Sequence, residues 1–259
     1  MIYDHCAAHG RRFPWRETRD PYRILVSEIM LQQTQTGRVE EKFPQFITAF
    51  PDITALARAP LKEILSVWQG LGYNSRALYL KKLAESVVAD YGARVPETVD
   101  ELKKLPGLGP ATAASVAAFA FNRPVVFLET NIRTVFIHRF FPEEEKVSDA
   151  EIIPLAEATL DRKNPRRWYN ALMDYGAMLK KNRTNPGRRS AHYTRQSPFE
   201  GSDRQIRGRI LRLLTDRSSL TRNGLIDRLE SNPQRVGIIL ERLVKEGMIR
   251  EEKKHYRIS

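Results

Sequence analysis

The sequence has 259 residues and a net charge of +12 at neutral pH, from 43 Lys and Arg against 31 Asp and Glu. This length is enough for one large or two modest domains with a real hydrophobic core. The single cysteine, Cys6, excludes an internal disulfide and a cysteine-cluster site. Because the sequence has no signal peptide, no bilayer-spanning apolar run and no internal repeat, we expect a cytoplasmic protein without a membrane partner.

The positive charge is concentrated towards the C-terminal end. Residues 1–179 hold 23 basic and 22 acidic side chains, so residues 180–259 carry +11 of the total. A basic segment of this kind predicts a polyanionic partner, most simply nucleic acid, although excess Lys and Arg can also serve solubility alone.

The first informative element is a helix predicted from Pro21, with Asp20 as its N-cap. Glu28 shares a face of this helix with Gln32. It also lies among the core-like positions Ile24, Leu25, Ile29 and Met30. The ordinary interpretation is a surface glutamate, since glutamate is rarely buried without a partner. An acid at an apolar face otherwise indicates a functional carboxyl group.

Two short helices are predicted between Pro51 and Val88, with a break at Gly70-Leu71-Gly72-Tyr73. Tyr73 suits either of two roles. It can be a packed core residue, or a planar ring that stacks into the gap left by an extruded base.

The central stretch combines a glycine turn with a carboxylate. Gly107 and Gly109 interrupt helices predicted over residues 99–104 and 110–121, and glycine permits the positive φ of a tight turn. The first N–H groups of the second helix then suit one DNA phosphate, without reading base sequence. Such turns also occur as plain helix connections. Glu129 and Asn131 follow an extended apolar stretch, at the start of another helix.

The C-terminal part is predicted to contain two helices over residues 149–179, a basic segment over 180–202 and a second unit over 203–259. The basic segment can bind phosphate or be a solvated linker, and its basic residues include Arg183, Arg188, Arg189 and Arg195. The last unit, with net charge +6, has three predicted helices (203–214, 220–229 and 233–246) and a terminal hairpin, a pattern that resembles a winged-helix domain.

These motifs, in this order, resemble the helix-hairpin-helix (HhH-GPD) DNA glycosylases, and within them the adenine glycosylases that act on A:8-oxoG and A:G pairs. The resemblance covers about residues 10–179. It rests on SEIMLQQTQ (27–35), GLGY followed by Arg76, the PGLG turn with its later carboxylate, and NALMDYGAM (170–178). It implies an all-α glycosylase core (1–179) of two helical subdomains, followed by a basic linker (180–202) and a small α+β winged-helix domain (203–259).

The resemblance also implies roles for individual residues. Glu28 would be the catalytic acid, and Glu129 occupies the position of the family's catalytic aspartate. This pair suits N-glycosidic cleavage, which needs an acid on the leaving base and an anion near the oxocarbenium-like sugar. Arg16 and Ala111 would line the base pocket. The implied DNA contacts are Gln32, Gln33, Tyr73, Arg76, Gly107, Gly109 and Asn131.

The sequence departs from the family pattern at four points. Glu129 is one methylene longer than the usual aspartate. Ala111 stands where strand-cleaving members have lysine, so we expect no Schiff base and no AP lyase activity. Lys180 stands at the first of four cluster cysteines, so we expect no iron–sulfur cluster, no other cofactor and no metal. Residues 203–259 do not resemble the domain that reads 8-oxoguanine in relatives, so we expect this reader to be missing.

We therefore expect a monomeric, monofunctional DNA glycosylase of base excision repair, associated with the nucleoid. It would bind duplex DNA, then flip and excise a mispaired base, most simply adenine. One alternative is a glycosylase for another base (a mispaired or deaminated pyrimidine, or hypoxanthine), which Glu129 and the missing reader favour. The other is a non-catalytic DNA-structure-binding or regulatory protein that acts through its winged helix. Glu28 argues against it, because a binding protein gains nothing from an acid at an apolar face.

Overall fold

The computed structural model describes residues 1–181 and 185–259 and is mostly helical. The helices from the N-terminus to residue 102 are α1 (Ile2–His9), α2 (Pro14–Glu17), α3 (Pro21–Leu31), α4 (Thr36–Ala49), α5 (Ile53–Arg58), α6 (Leu61–Trp68), α7 (Ser75–Tyr91) and α8 (Val99–Leu102). The later helices are α9 (Pro110–Phe121), α10 (Thr130–Phe140), α11 (Asp149–Thr159), α12 (Pro165–Lys181), α13 (Asp203–Asp216), α14 (Arg222–Leu229) and α15 (Pro233–Lys245). The strands are β1 (Leu220–Thr221), β2 (Ile249–Glu252) and β3 (His255–Ile258).

Contacts divide the described chain into two compact units. The first unit comprises Met1–Glu28, Pro96–Lys104 and Leu108–Gln196. The second unit comprises Ile29–Val95, Leu105–Gly107 and Ser197–Ser259. The helix α3 begins in the first unit, and its last residues belong to the second. The domain boundaries predicted at 179 and 203 stay a prediction. In the second unit, α13 packs against α6.

The core of the first unit is built around α9, whose sequence PATAASVAAFAF is apolar on almost every side, as a buried helix requires. Aromatic side chains after this helix complete the core. The rings of Phe127 and Tyr169 lie 4.1 Å apart, and Tyr169 donates a hydrogen bond to the Val125 carbonyl at 2.7 Å. This packing fixes the start of α10, where Glu129 lies.

The core of the second unit gathers the amphipathic helices α4 to α7 around Phe46 and Trp68, whose ring centroids are 5.9 Å apart. Between Pro51 and Val88 the sequence predicted two helices, whereas the structure has three, α5, α6 and α7. Ala59 is extended (ψ 137°) because the following Pro60 disfavours the helical conformation, so α5 ends and α6 begins at this point.

The C-terminal helices of the second unit carry a three-stranded antiparallel sheet of order β1-β3-β2. The predicted hairpin is confirmed, with Ile249 opposite Ile258. Its two turn residues, Lys253 and Lys254, both have positive φ, as a tight two-residue hairpin turn demands. The short strand β1 was not predicted, and the winged-helix assignment itself stays a prediction.

Only part of the predicted basic segment packs against α10, whereas residues 191–201 are exposed to solvent. A 3-10 turn, Pro186–Arg189, lies so close that a Cβ on Gly187 would be 2.4 Å from Thr134 Oγ1. Arg189 donates to the carbonyls of Phe141 and Glu144 at 2.6 and 2.8 Å, just past the end of α10. Arg183, which was predicted to belong to this segment, lies outside the described residues.

Across residues 1–181 and 185–259, no helix combines the length and the apolar character that crossing a membrane requires.

Candidate active site

Glu28 lies on α3 one turn after Ile24, a residue of the first unit's core. Its Oε2 atom is 2.6 Å from Ser115 Oγ on α9, and Ser115 Oγ is 2.9 Å from the carbonyl oxygen of Thr112. A serine hydroxyl has one hydrogen to donate. Ser115 therefore donates either to Glu28 or to the Thr112 carbonyl at any one time.

Taken together, the surroundings of Glu28 favour the protonated form of its carboxyl group. Burial of its carboxyl group raises the pKa of Glu28 from 4.5 to about 7. The hydrogen bond with Ser115 opposes this rise, the nearby charge of Glu129 adds to it, and the positive charge of Arg16 opposes it. A carboxyl group with this pKa can deliver a proton at neutral pH.

Glu129 is the N-cap of α10, and its side chain folds back onto its own helix. Oε1 accepts hydrogen bonds from the backbone N–H groups of Asn131 and Ile132 at 2.8 and 2.9 Å. Oε2 accepts from the Asn131 side-chain amide at 3.2 Å. Capping of this kind is typical of aspartate, so the folded-back conformation is how this chain accommodates the extra methylene.

A lysine on α12 extends this network. Lys180 Nζ donates to Asn131 Oδ1 at 3.0 Å, which orients the amide so that its NH₂ group faces Glu129. Gly176, one turn earlier on the same face of α12, makes the close approach possible, since a Cβ there would lie 2.2 Å from the Asn131 carbonyl oxygen. Lys180 thus supports the Glu129 carboxylate through Asn131.

Arg16, predicted to line the base pocket, forms part of a buried ion-pair cluster. Its Nη1 donates to Asp174 Oδ2 at 2.8 Å, and Arg11 Nε donates to Asp174 Oδ1 at 2.7 Å. Burial alone would raise the pKa of Asp174, but the pairs with Arg16 and Arg11 outweigh it and hold that pKa below its ordinary value. Asp174 thus fixes Arg16 in place, and the charge of Arg16 acts on Glu28.

The two glycines of the turn before α9 differ in their constraints. Gly107, in the second unit, has φ +82°, and a Cβ there would lie 2.8 Å from Tyr79 Cβ, so only glycine fits. Gly109, in the first unit, is the N-cap of α9 with φ −74° and open space around it. Gly109 and Ala111 are both exposed, so the first turn of α9 is accessible to an anion.

Arg76 was predicted to contact DNA, but the structure places it in the interior of the second unit, with 8% of its surface exposed. Its guanidinium donates to carbonyls at the end of α3 and to carbonyls of the GLGY segment at 2.7–3.2 Å. Desolvation lowers the pKa of Arg76 to about 10. Its charge is occupied by the backbone, so Arg76 is a positioning residue that holds two loops together.

The two loops that Arg76 joins carry three more of the residues with predicted DNA contacts, Gln32, Gln33 and Tyr73. Gln33 is exposed in a left-handed conformation (φ +54°), next to the half-buried Gln32. Tyr73 is half-buried and also left-handed (φ +46°), with Arg76 Cζ 5.6 Å from its ring centroid. A left-handed backbone is uncommon for a bulky residue, and such conformations cluster at functional sites.

The structure thus places the predicted residues in two groups. Arg16, Glu28, Gly109, Ala111, Glu129 and Asn131 belong to the first unit, whereas Gln32, Gln33, Tyr73, Arg76 and Gly107 belong to the second. A proton donor beside a fixed carboxylate, as in the first group, suits the cleavage of a glycosidic bond.

Sequence reasoning missed Ser115, Asp174 and Lys180 as members of the site. Ser115 is a buried hydroxyl on an otherwise apolar helix, and Asp174 is a buried acid on α12. Polar residues at apolar positions were the available signal, and only Glu28 was interpreted in this way. In the described part of the chain, no group of three or more His, Cys, Asp or Glu side chains could hold a metal ion.

Comparisons with known proteins identify a matching family and individual relatives. The model of the HhH-GPD superfamily of base excision DNA repair proteins matches residues 26–157. The adenine DNA glycosylase of Mycolicibacterium smegmatis is 31% identical over 267 residues, covering 96% of this chain and 90% of that protein. That of Buchnera aphidicola (subsp. Baizongia pistaciae) is 35% identical over 175 residues, or 66% of this chain and 49% of that protein, so the chain spans about half the length of this relative.

A solved structure also resembles the chain. The thermostable thymine-DNA glycosylase superposes with a TM-score of 0.63 at 30% identity, and the match covers 71% of this chain and 87% of that one.

Proposed function

Because the chain is a DNA glycosylase that belongs to the HhH-GPD superfamily of base excision DNA repair proteins, we propose that it excises a mispaired adenine from duplex DNA. The favoured partner of that adenine is guanine or 8-oxoguanine, and the protein acts as a monomer. The adenine DNA glycosylases among its relatives support this choice of base. The observation that carries the proposal is the desolvated Glu28 carboxyl group, which accepts a hydrogen bond from Ser115 and lies in the same unit as Glu129.

The proposed reaction uses both carboxyl groups. Glu28 donates its proton to a ring nitrogen of the adenine, so the N-glycosidic electron pair leaves with a neutral base. Glu129 stabilises the positive charge that develops on the sugar. A water oxygen then bonds to the sugar carbon and its proton returns to a carboxylate, which leaves an abasic site. Glu28 and Glu129 are the catalytic residues, and Ser115, Asn131 and Lys180 are positioning residues.

The strand stays intact and no cluster takes part in the proposed reaction. Ala111 offers no amine for a Schiff base, and the sequence cannot supply the four cysteines of an iron–sulfur cluster because Cys6 is its single cysteine. The product breaks only after hot alkali. Prompt nicking that borohydride traps would contradict this part of the proposal.

A second candidate is release of thymine or uracil opposite guanine. The thymine-DNA glycosylase structure at 30% identity favours it, and so does the glutamate at position 129. A panel of duplexes with A:8-oxoG, A:G, A:C, T:G and U:G pairs, assayed for base release under single-turnover conditions, distinguishes the two. Release only from T:G or U:G would overturn the adenine proposal.

The matched variants for this assay are Glu28→Gln and Glu157→Gln. Glu157 is exposed, so its replacement removes one negative charge away from the site. Glu28→Gln should abolish base release while duplex binding persists, whereas Glu157→Gln should behave as the parent. The parent's rate should fall tenfold per pH unit above about 7, as Glu28 loses its proton.

A further inference from the structure

The C-terminal segment contacts the Tyr73 loop within the second unit. Arg204, the second residue of α13, donates from Nη1 to Tyr73 Oη at 3.0 Å, and its Cζ lies 5.9 Å from the Tyr73 ring centroid. Nη2 donates to the carbonyl and hydroxyl oxygens of Ser197 at 2.7 and 3.1 Å. One guanidinium therefore connects the chain before α13 to the hydroxyl end of the tyrosine ring.

The position of Arg204 is electrostatically unfavourable for the helix that carries it. A cation in the first turn of a helix opposes the helix dipole, which favours acidic residues there. The neighbouring Asp203 does not neutralise it, since Asp203 accepts from Arg235 at 2.6 Å and lies 3.8 Å from Arg242. The stability of α13 thus does not account for an arginine at this position, whereas the contact with Tyr73 does.

Tyr73 is held from two directions. The buried Arg76 lies 5.6 Å from its ring centroid, and the half-buried Arg204 binds its hydroxyl group. This support maintains a backbone with φ +46°, which a tyrosine rarely adopts. The ring is thus pre-positioned, with a guanidinium at its outer end.

We propose that Arg204 is a specificity-determining residue that contacts, together with Tyr73, the base left opposite the extruded one. This proposal rests on the function proposed above and on the expectation from the sequence that the Tyr73 ring stacks into the gap left by the extruded base. A guanidinium has five donors and no acceptor. Tyr73 and Ser197 accept hydrogen bonds from three of these donors in Arg204, and the remaining donors favour a base edge that carries acceptors. Guanine and 8-oxoguanine share the O6 acceptor, whereas cytosine and adenine have an amino donor at the corresponding edge. Arg204 therefore favours a guanine-type base.

The test measures duplex binding by the full-length Glu28→Gln protein, so that it does not depend on turnover. Dissociation constants are determined for duplexes with adenine opposite guanine, 8-oxoguanine or cytosine. The parent should prefer the two guanine-type duplexes. Arg204→Met, which keeps the chain length but removes the donors, should lower that preference about tenfold, the order of one guanidinium–guanine contact.

Three further variants make the result specific. Arg209→Met removes the same charge from an exposed position on α13 and should weaken all three duplexes equally. Arg204→Lys keeps the charge but loses the planar donor pair, so it should recover affinity more than preference. Tyr73→Phe keeps the ring and removes the hydroxyl group, and Arg204→Met should cost less preference in that background.

Two outcomes would overturn the proposal: an unchanged preference in Arg204→Met, or an equal loss for all three duplexes as in Arg209→Met. Melting temperatures of every variant establish that each one folds. If the wild-type protein releases no adenine from any duplex, the proposed function fails, but the opposite-base preference of Arg204 is still measured by binding alone.

Discussion

At the scale of single residues, the group that Glu28 contributes to the proposed reaction also affects stability. Its pKa is raised from 4.5 to about 7, so the unfolded chain loses this proton near pH 4.5 while the folded chain keeps it to about pH 7. The folded state binds more protons in this window, and its stability therefore falls as the pH rises through it. A shift of this size corresponds to roughly 3 kcal/mol of unfolding free energy.

Glu28→Gln should remove this dependence, because glutamine stays neutral at every pH. We expect the variant and the parent to be about equally stable near pH 4.5, and the variant to be more stable by up to roughly 3 kcal/mol at pH 8. Urea denaturation at both pH values checks this. Glu157→Gln, at an exposed position, should show no such gain. An equal stability of Glu28→Gln and parent at pH 8 would mean that Glu28 is not desolvated.

Lys180→Met tests the network around Glu129. Without the Nζ donor the Asn131 amide can rotate, and the carboxylate loses one of its three hydrogen bonds. Because small misplacements of a reacting group are costly, we expect the single-turnover rate to fall roughly 10- to 100-fold. The dissociation constant for duplex DNA should change much less.

The control is Lys181→Met, which removes the same charge from an exposed neighbour on α12. It should retain the parental rate. The same slow rate in both variants would assign the effect to lost charge, not to Asn131. A second check combines Lys180→Met with Asn131→Ala, where the lysine should have no further effect if it acts through the amide.

At the scale of elements, the two glycines of the turn before α9 should respond differently to alanine. Gly107→Ala forces a Cβ to 2.8 Å from Tyr79 Cβ at φ +82°, so we expect a loss of about 1–3 kcal/mol in unfolding free energy. Gly109→Ala meets open space at φ −74°, so its cost should be limited to the poorer N-cap preference of alanine, about 0.5 kcal/mol. Thermal melting compares the two, and equal losses would contradict this account.

Local sequence signals predicted the elements around the site well. The helix over 110–121 ends as predicted, since Pro110 begins it and Asn122, in a left-handed conformation, ends it. The acid at an apolar face indicated a functional carboxyl group at Glu28; the structure shows this residue half-buried, and its role stays a prediction. Pro60 is the sequence signal that separates α5 from α6, and the prediction of two helices between Pro51 and Val88 did not include this break.

Contacts between residues distant in the sequence were beyond such signals. Arg76 is 47 positions from Ile29, and Arg204 is 131 positions from Tyr73. A basic residue beside a tyrosine motif is equally suited to bind phosphate or backbone carbonyls. Only packing decides between these partners, and for Arg76 it selects the carbonyls.

At the scale of the whole molecule, residues 180–259 carry +11 of the net charge. The arginines of this segment differ in their surroundings. Arg189 is occupied by carbonyls, whereas Arg188 and Arg195 are exposed. Point substitutions test this division better than truncation, because α13 packs against α6 and its removal would expose apolar surface.

We expect the Arg188→Ala/Arg195→Ala double variant to bind DNA more weakly and to lower the slope of log affinity against log salt by about 2, since each phosphate contact contributes about 0.9. Arg189→Ala should leave that slope unchanged and lower the unfolding free energy by about 1–3 kcal/mol. Binding titrations at salt concentrations between about 50 and 200 mM measure the change in slope. An unchanged slope in the double variant would remove these two arginines from the DNA contact surface.

Arg76 also limits which amino-acid substitutions this protein can tolerate. Its fork of donors joins the end of α3 to the GLGY segment, and no other side chain offers donors in that geometry. A library of all substitutions at this position should therefore yield no active variant, even though the residue touches neither reacting atom nor base in the proposed reaction. The loops that carry Gln32 and Tyr73 both bind the Arg76 guanidinium. A sequence change in one loop is therefore constrained by the conformation of the other.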